Sequence, residues 1–449
     1  MVTVPALPEI AAQVAGIRAR AGSGCFLGIR LPSSFNPVDL LHDVVANQVV
    51  ASYERPDGGL ALVAVGEAGR ADAQPGEVPQ AVREQVRALL RAEVVSEAPE
   101  LRPRLLGGFA FDVAHAPTGP WAGFAAGSLV LPRLLFVRDG GVTGVVVAPG
   151  VEPAEIEALG LKGRSDERCL AEVRVARDID RAGWLSAVSE VAADIRAGRY
   201  EKVVLAASRE IEAESSLDVG GTLERLRAGY AHCHLFTVSG GGATFLGATP
   251  ELLVSLRGGV VSALGLAGSA PRGQSTADDE RLGEELLSSR KNRVEHEIVV
   301  RTLRDDLAPV TTDLEAADEP GLLRLPNIQH LATDVSGRAR AGVDILELVG
   351  RLHPRPAVCG WPTETAIEVI RRHETFDRGW YAGPVGWMDA SGEGEFAVAL
   401  RSALVRGRRA WLFAGAGIMG DSAPEAELAE IEWKFTPLSV ALGGAGVSR

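Results

Sequence analysis

Cysteine is scarce in this chain. The four, at positions 25, 169, 233 and 359, lie far apart and include no CxxC pair. That excludes a zinc ribbon and a disulfide framework, and a reducing cytoplasm is the expected compartment. Long hydrophobic runs are missing too: none approaches the ~18 residues of a membrane helix. The first residues, MVTVPALPEIAAQ, have no cationic segment followed by a long apolar stretch, so no secretory signal is expected. Basic charge is in deficit, with a formal net charge of −13. Nucleic acid and membrane are therefore not the expected partners, although a local pocket of Lys and Arg can still receive a small anion. There is no internal repeat and no low-complexity tract.

What is present is an ordinary globular balance, 46% hydrophobic and 23% charged, over 449 residues. Residues 1–175 hold short strand-like runs (GCFLGIRL, GGLALVAVG, LLGGFAFD, LVLPRLLFVRDGGVTGVVVAP) and one charged amphipathic helix, VPQAVREQVRALLRAEV. Asp139-Gly140-Gly141 between apolar segments predicts a hairpin and antiparallel pairing. The acidic, punctuated stretch 149–181 reads as a connection. Residues 176–449 carry denser signals: helices at GWLSAVSEVAADIRAG, TLERLRAGYA, 279–308 and the C-terminus, among strands joined by tight Gly turns. This pattern favours an α+β layered sandwich over a doubly wound sheet, with the two regions forming one compact unit.

Certain side chains stand out against that background. In RYEKVVLAASRE (199–210), alternation puts Lys202 on the same face as Val204, Ala206 and Ser208. Neither face looks solvated, yet lysine usually keeps its ammonium in water. Glu295 shares a helical face with Val299 and Leu303, placing a carboxylate in a core-facing stripe. Glu430 and Lys434 lie four apart on the last helix, a spacing common in surface pairs, and Ser422 with Glu425 predicts a capping box at its start. Glu251 follows a proline at a break between two strands. Two carboxylates on separate helices suit Mg²⁺, which takes oxygen ligands and keeps room for water and a substrate anion. AGAGIMG contains a formal GxGxxG at Gly415, Gly417 and Gly420. Only 29 residues follow, too few for a dinucleotide-binding βαβ unit; its backbone N–H groups would instead cradle a carboxylate. His232-Cys233-His234 lacks a third metal ligand and reads as structural.

Taken in order, EKVVLAAS, FLGATPELLV, LGLAGSAPRG, SRKNRVEHEIV, IQHLATDVSG, LHPRPAVCGWP, YAGPVGWMD, ALRSALV, LFAGAGI and ELAEIEWK resemble the chorismate-utilising enzymes. That family includes isochorismate, salicylate, anthranilate and aminodeoxychorismate synthases. The likeness spans about 180 to 445. It implies two antiparallel β-sheets packed in a layered sandwich with flanking helices and a cleft between them. It also implies Mg²⁺ as cofactor on Glu295 and Glu430, a basic Lys202 and an acidic Glu251. Substrate-binding positions carried over are Gly268, Ser269, His330, Ala357, Tyr381, Arg401, Gly415, Ala416, Gly417 and Lys434.

Within the family, members that aminate the ring have glutamine where this chain has Lys202, since ammonia needs no base to become a nucleophile. Water does need one, so Lys202 points to hydration. Ala267 stands where aminodeoxychorismate synthases place a nucleophilic lysine, and no glutamine amidotransferase partner is expected. Ser269 after Gly268 resembles isochorismate synthases, whereas salicylate synthases usually carry threonine there. The expected activity is isochorismate synthase, with salicylate synthase as the alternative. In the expected mechanism neutral Lys202 activates water and protonated Glu251 delivers a proton to the leaving hydroxyl.

Overall fold

The computed structural model describes residues 7–43, 48–159, 172–326 and 328–443. Its strands form two ladders. The first runs Val173–Arg177, Lys202–Ala213, Arg409–Ile418, Ser402–Arg406, Ala243–Thr249, His234–Gly240, Val49–Arg55 and Leu60–Ala73. It continues through Gly127–Asp139 and Val142–Val147 to Phe26–Arg30 and Val94–Ser96. The second runs Arg104–Phe109, Pro384–Asp389, Gly394–Val398, Leu252–Arg257, Val260–Pro271 and Ile328–Ala339. Thr311–Ala316 and Gly321–Arg324 lie along its outer edge. Pairing is antiparallel except between Phe26–Arg30 and Val94–Ser96. The ladders meet at Gly127–Asp139, which pairs with Arg104–Phe109 near its start and with Val142–Val147 near its end. The expected hairpin at Asp139 is present, with Asp139 opposite Val142.

The first 175 residues interleave with the rest. Val49–Arg55 pairs with His234–Gly240, and Arg104–Phe109 with Pro384–Asp389. Trp121 reaches further, stacking on Phe413 at 5.5 Å between ring centroids; Phe413 in turn stacks on Tyr381 at 5.3 Å. This buried aromatic column supports one side of the cleft described below.

Several local expectations are corrected. The helix expected over 78–94 is a 3₁₀ turn, Pro79–Val82, a short helix, Arg83–Leu89, and then the strand Val94–Ser96; the β-branched Val94-Val95 pair goes to a sheet edge. The helix expected over 279–308 is two, Thr276–Ser288 and Arg290–Leu307. Ser289 is extended between them and its hydroxyl accepts from Asn292 N–H, starting the second helix afresh. The capping box does not form: the last helix begins at Pro424 behind Ala423, and the Ser422 hydroxyl accepts from Met419 N–H instead. Helices Leu7–Ala21, Ile345–Leu352 and Thr363–His373 add to those expected. Cys25, Cys233 and Cys359 are buried free thiols, and Cys169 lies outside the described residues. Burial pushes the Cys233 thiol up to about 11 and the Cys359 thiol up to about 12, so neither is a ready thiolate. No helix among the described residues is long and apolar enough to cross a membrane.

Two neighbouring crossings between the ladders position the site. Thr249-Pro250-Glu251 carries the chain from the first to the second, and Ala399-Leu400-Arg401 carries it back. The crossings are tied together: Val398 N–H donates to Glu251 O at 2.9 Å, and Ala248 N–H to Arg401 O at 3.2 Å. Arg401 pays a conformational cost there, with φ +46 at a non-glycine residue. Both charged side chains are thereby set at the seam between the sheets.

Candidate active site

A cleft with about 870 Å³ of empty volume opens along that seam. Its wall includes Glu251, Gly268, Ser269, Glu295, His330, Ala357, Tyr381, Arg401, Gly415, Gly417, Glu430 and Lys434. These sequence-predicted residues, spread over more than 180 positions, therefore converge. Two do not reach the wall. Ala416 is fully buried on the opposite face of Arg409–Ile418, because strand alternation sends Gly415 and Gly417 inward and its methyl outward. Lys202 is fully buried behind Glu295, with Nζ 2.9 Å from Oε1.

The glycine segment also departs from expectation. It is a regular strand, with Gly415 opposite Ala206 and Gly417 opposite Val204, not a loop of free N–H groups. Its glycines make room. A Cβ on Gly417 would overlap Oε1 of Glu295 and lie 3.1 Å from Cε of Lys202; one on Gly415 would lie 2.9 Å from the Tyr381 hydroxyl. Gly417→Ala should thus displace Glu295 and lower kcat by about 10²-fold, the usual effect of a misplacement of about 1 Å. Steady-state kinetics at saturating substrate would check this, and undiminished turnover would show that the close approach is dispensable.

Charge in the wall is arranged in pairs. Lys202 faces Glu295, Lys434 donates to Glu430 at 2.6 Å, and Lys291 donates to Glu427 at 2.6 Å. Burial alone would raise the Glu295 carboxyl, but the Lys202 ammonium overrides it and the net direction is down. For Glu427, burial with the like charge of Glu430 wins and the direction is up. Lys434 also donates to Gly415 O at 2.8 Å, tying the last helix to the sheet. Glu251 is paired with Arg355, whose Nε and Nη2 both donate to its Oε1. Of the charged side chains in the wall, Arg401 has no carboxylate partner among the described residues. Its Nη2 donates to His330 Nε2 at 3.0 Å and its Nη1 is buried without a partner. Arginine offers only donors, so His330 Nε2 must accept and its proton sits on Nδ1, 2.9 Å from the Ser269 hydroxyl. Burial, Arg401 and Lys434 all push the His330 imidazole well below its ordinary value, keeping it neutral.

With its pairs balanced, the site carries a single uncompensated positive charge. A substrate with two carboxylates would turn that charge negative, and a divalent cation arriving with the substrate would return the site to the single positive charge it has when its pairs are balanced. Among the described residues no three His, Cys, Asp or Glu side chains close on one point. A cation on Glu295 and Glu430 would share its shell with water and a substrate oxygen, as Mg²⁺ commonly does. The donor set fits: hard carboxylate oxygens from two helices on one cleft.

Lys291, Glu427 and Arg355 were missed by the sequence reading. For Lys291 a signal existed. The chain has four lysines, Lys162, Lys202, Lys291 and Lys434, among 46 basic residues. Three of those four meet here, where a compact charge on a flexible stem serves better than a planar fork. Glu427 lies three residues before Glu430 and seven before Lys434, on one helical face. For Arg355 the one signal was its place in the motif LHPRPAVCGWP, which does not name its partner. The His232–His234 stretch is structural as expected, with His234 on Tyr53 at 2.8 Å and His232 on Asp57 at 2.7 Å.

A family model described as chorismate binding enzyme matches residues 27–443. The salicylate biosynthesis isochorismate synthase of Pseudomonas aeruginosa is 40% identical over 380 residues, covering 80% of this chain and 78% of that one. Isochorismate synthase MenF of Bacillus subtilis is 37% identical over 353 residues, covering 76% and 75%. The structure of MenF, the menaquinone-specific isochorismate synthase from Escherichia coli, superposes with a TM-score of 0.81 at 26% identity, covering 97% of this chain and 100% of that one. The cleft, its paired charges and the order of its motifs thus have one source: the chain belongs to the chorismate-binding enzymes.

Proposed function

We propose that this protein is an isochorismate synthase, converting chorismate reversibly to isochorismate with Mg²⁺. The observation that carries the reading is Lys202, buried at the head of an apolar strand 2.9 Å from Glu295, which itself lines the cleft with Glu251. Burying a lysine is costly, and a water-activating base requires one. The named relatives at 37% and 40% identity support the same assignment.

In this reading Arg401 receives one substrate carboxylate through its unpartnered Nη1, and Lys434 and the Gly415 region flank the other. Glu295 and Glu430 would hold Mg²⁺, which when bound would orient the ring carboxylate and offset its charge. Lys202 removes a proton from water as its oxygen bonds to C2. The ring double bonds shift and the C4–O bond breaks, with Glu251 protonating the departing hydroxyl. One water enters and one leaves. Proton exchange with solvent resets Lys202 and Glu251 between forward turns, each of which ends with a charged Lys202 and an ionised Glu251. That arrangement is also the starting point for the return reaction, as reversibility demands. The neutral His330 and the Tyr381 phenol, which burial pushes up, complete the wall without adding charge.

Incubating the protein with chorismate and Mg²⁺ and separating the products by chromatography tests the proposal. Isochorismate alone is the expected result. Salicylate with pyruvate would convert the assignment to salicylate synthase, and no conversion would end it. A cytoplasmic location and a role supplying menaquinone, siderophore or salicylate synthesis follow as parts of this same reading.

A further inference from the structure

We propose that Arg355 is a positioning residue for Glu251, and that the segment it begins, residues 355–361, is a brace setting the separation of acid and base. The inference rests on the assignment of Glu251 as proton donor. Arg355 is 2% exposed and forms no part of the cleft wall; it lies behind Glu251. Its Nε donates to Oε1 at 2.9 Å, its Nη2 to the same oxygen, and Nη2 also reaches Leu252 O at 3.4 Å. Oε2 has no protein partner among the described residues. With both guanidinium N–H groups on Oε1, a proton carried by Glu251 is confined to Oε2. The carboxyl thereby loses its two-fold ambiguity: a single oxygen is left to deliver the proton.

The same segment grips the other end of the chemistry. Val358 and Cys359 N–H groups donate to Arg355 O at 3.1 and 3.0 Å, folding the chain back on itself. From there Cys359 O accepts from Val204 N–H at 2.8 Å, Trp361 O accepts from Glu201 N–H at 2.9 Å, and Trp361 stands opposite Lys202 in the ladder. A guanidinium on Glu251 and a strand pair on Lys202 are thus six positions apart on one stretch of chain. Ala357 and Val358 between them line the cleft. A brace of this kind fixes the acid and base relative to each other, independently of the crossings that place Glu251 on the seam.

The test is a double-mutant cycle with Arg355→Gln and Glu251→Gln, following kcat, KM and melting temperature. Arg355→Gln should lower kcat by about 30- to 100-fold with KM within about threefold, the pattern of a misplaced catalytic group. Added to Glu251→Gln, it should cause no further loss. Arg355→Lys, which keeps the charge but not the two-donor grip on Oε1, should recover only part of the lost kcat and stay about three- to tenfold below the parent. An equal loss in the Glu251→Gln background, or a change in KM alone, would overturn the brace while leaving Glu251 its role. Full activity of Glu251→Gln would instead remove the assignment beneath it. If Arg355→Gln does not fold, Arg355→Lys carries the test alone: lowered kcat at unchanged KM supports the proposal, and unchanged kcat refutes it.

Discussion

Lys202→Gln should lower kcat by about 10³-fold, the middle of the range for loss of a positioned general base. Glutamine is close in length and cannot take a proton from water. The substitution also leaves Glu295 buried beside a neutral group, and removing one partner of a buried pair costs about 3–5 kcal/mol. The melting temperature must therefore be read with the rate, and substrate binding by the variant confirms that the cleft persists. Because no catalyst moves an equilibrium, conversion of isochorismate back to chorismate should lose kcat/KM by the same factor. A variant that folds, binds chorismate and retains turnover within about tenfold of the parent would remove Lys202 from the proton-transfer step.

Chelation is the second large effect. Treatment with EDTA followed by desalting should bring chorismate conversion to background, and Mg²⁺ should restore it. The physical reason is charge: among the described residues Arg401 is the wall's one unpaired charge, so a dicarboxylate would leave the site negative, and a divalent cation would reverse that. Glu295→Gln and Glu430→Gln should each raise the Mg²⁺ concentration for half-maximal rate by at least about tenfold, comparable to or above the effect of losing an outer-shell partner. Undiminished conversion after chelation would discredit both carboxylates as ligands. Lys202 and Lys434 are counter-charges to these carboxylates within the protein itself. Loss of the metal should therefore leave the melting temperature nearly unchanged, separating a failure of chemistry from one of folding.

Some of this was visible in local patterns. Period-two alternation put Lys202 and Val204 on one inward face, and period-3.6 spacing put Glu295 with Val299 and Leu303; the structure has both. The turn at Asp139-Gly140-Gly141 followed from local chemistry alone. Other features depended on contacts between distant segments. Ser422 has the composition of a helix cap and serves Met419 instead, because Pro424 starts the helix. AGAGIMG has the spelling of a phosphate loop, yet its AGAGI is strand, because Lys202–Ala213 runs beside it. Arg355 could not be distinguished from any surface arginine until Glu251, 104 positions away, was placed against it.

Alternation, helical spacing and turn chemistry act over a few residues, so the sequence by itself determined the class of fold, most strands and the inward aim of Lys202 and Glu295. Its motifs in order determined the family. Tertiary structure alone decided which charge meets which: Lys202 with Glu295, Lys291 with Glu427, Glu251 with Arg355, and Arg401 with no carboxylate among the described residues. Electrostatic pairing depends on distance and burial in space, and those are set only when the two ladders close on a common seam.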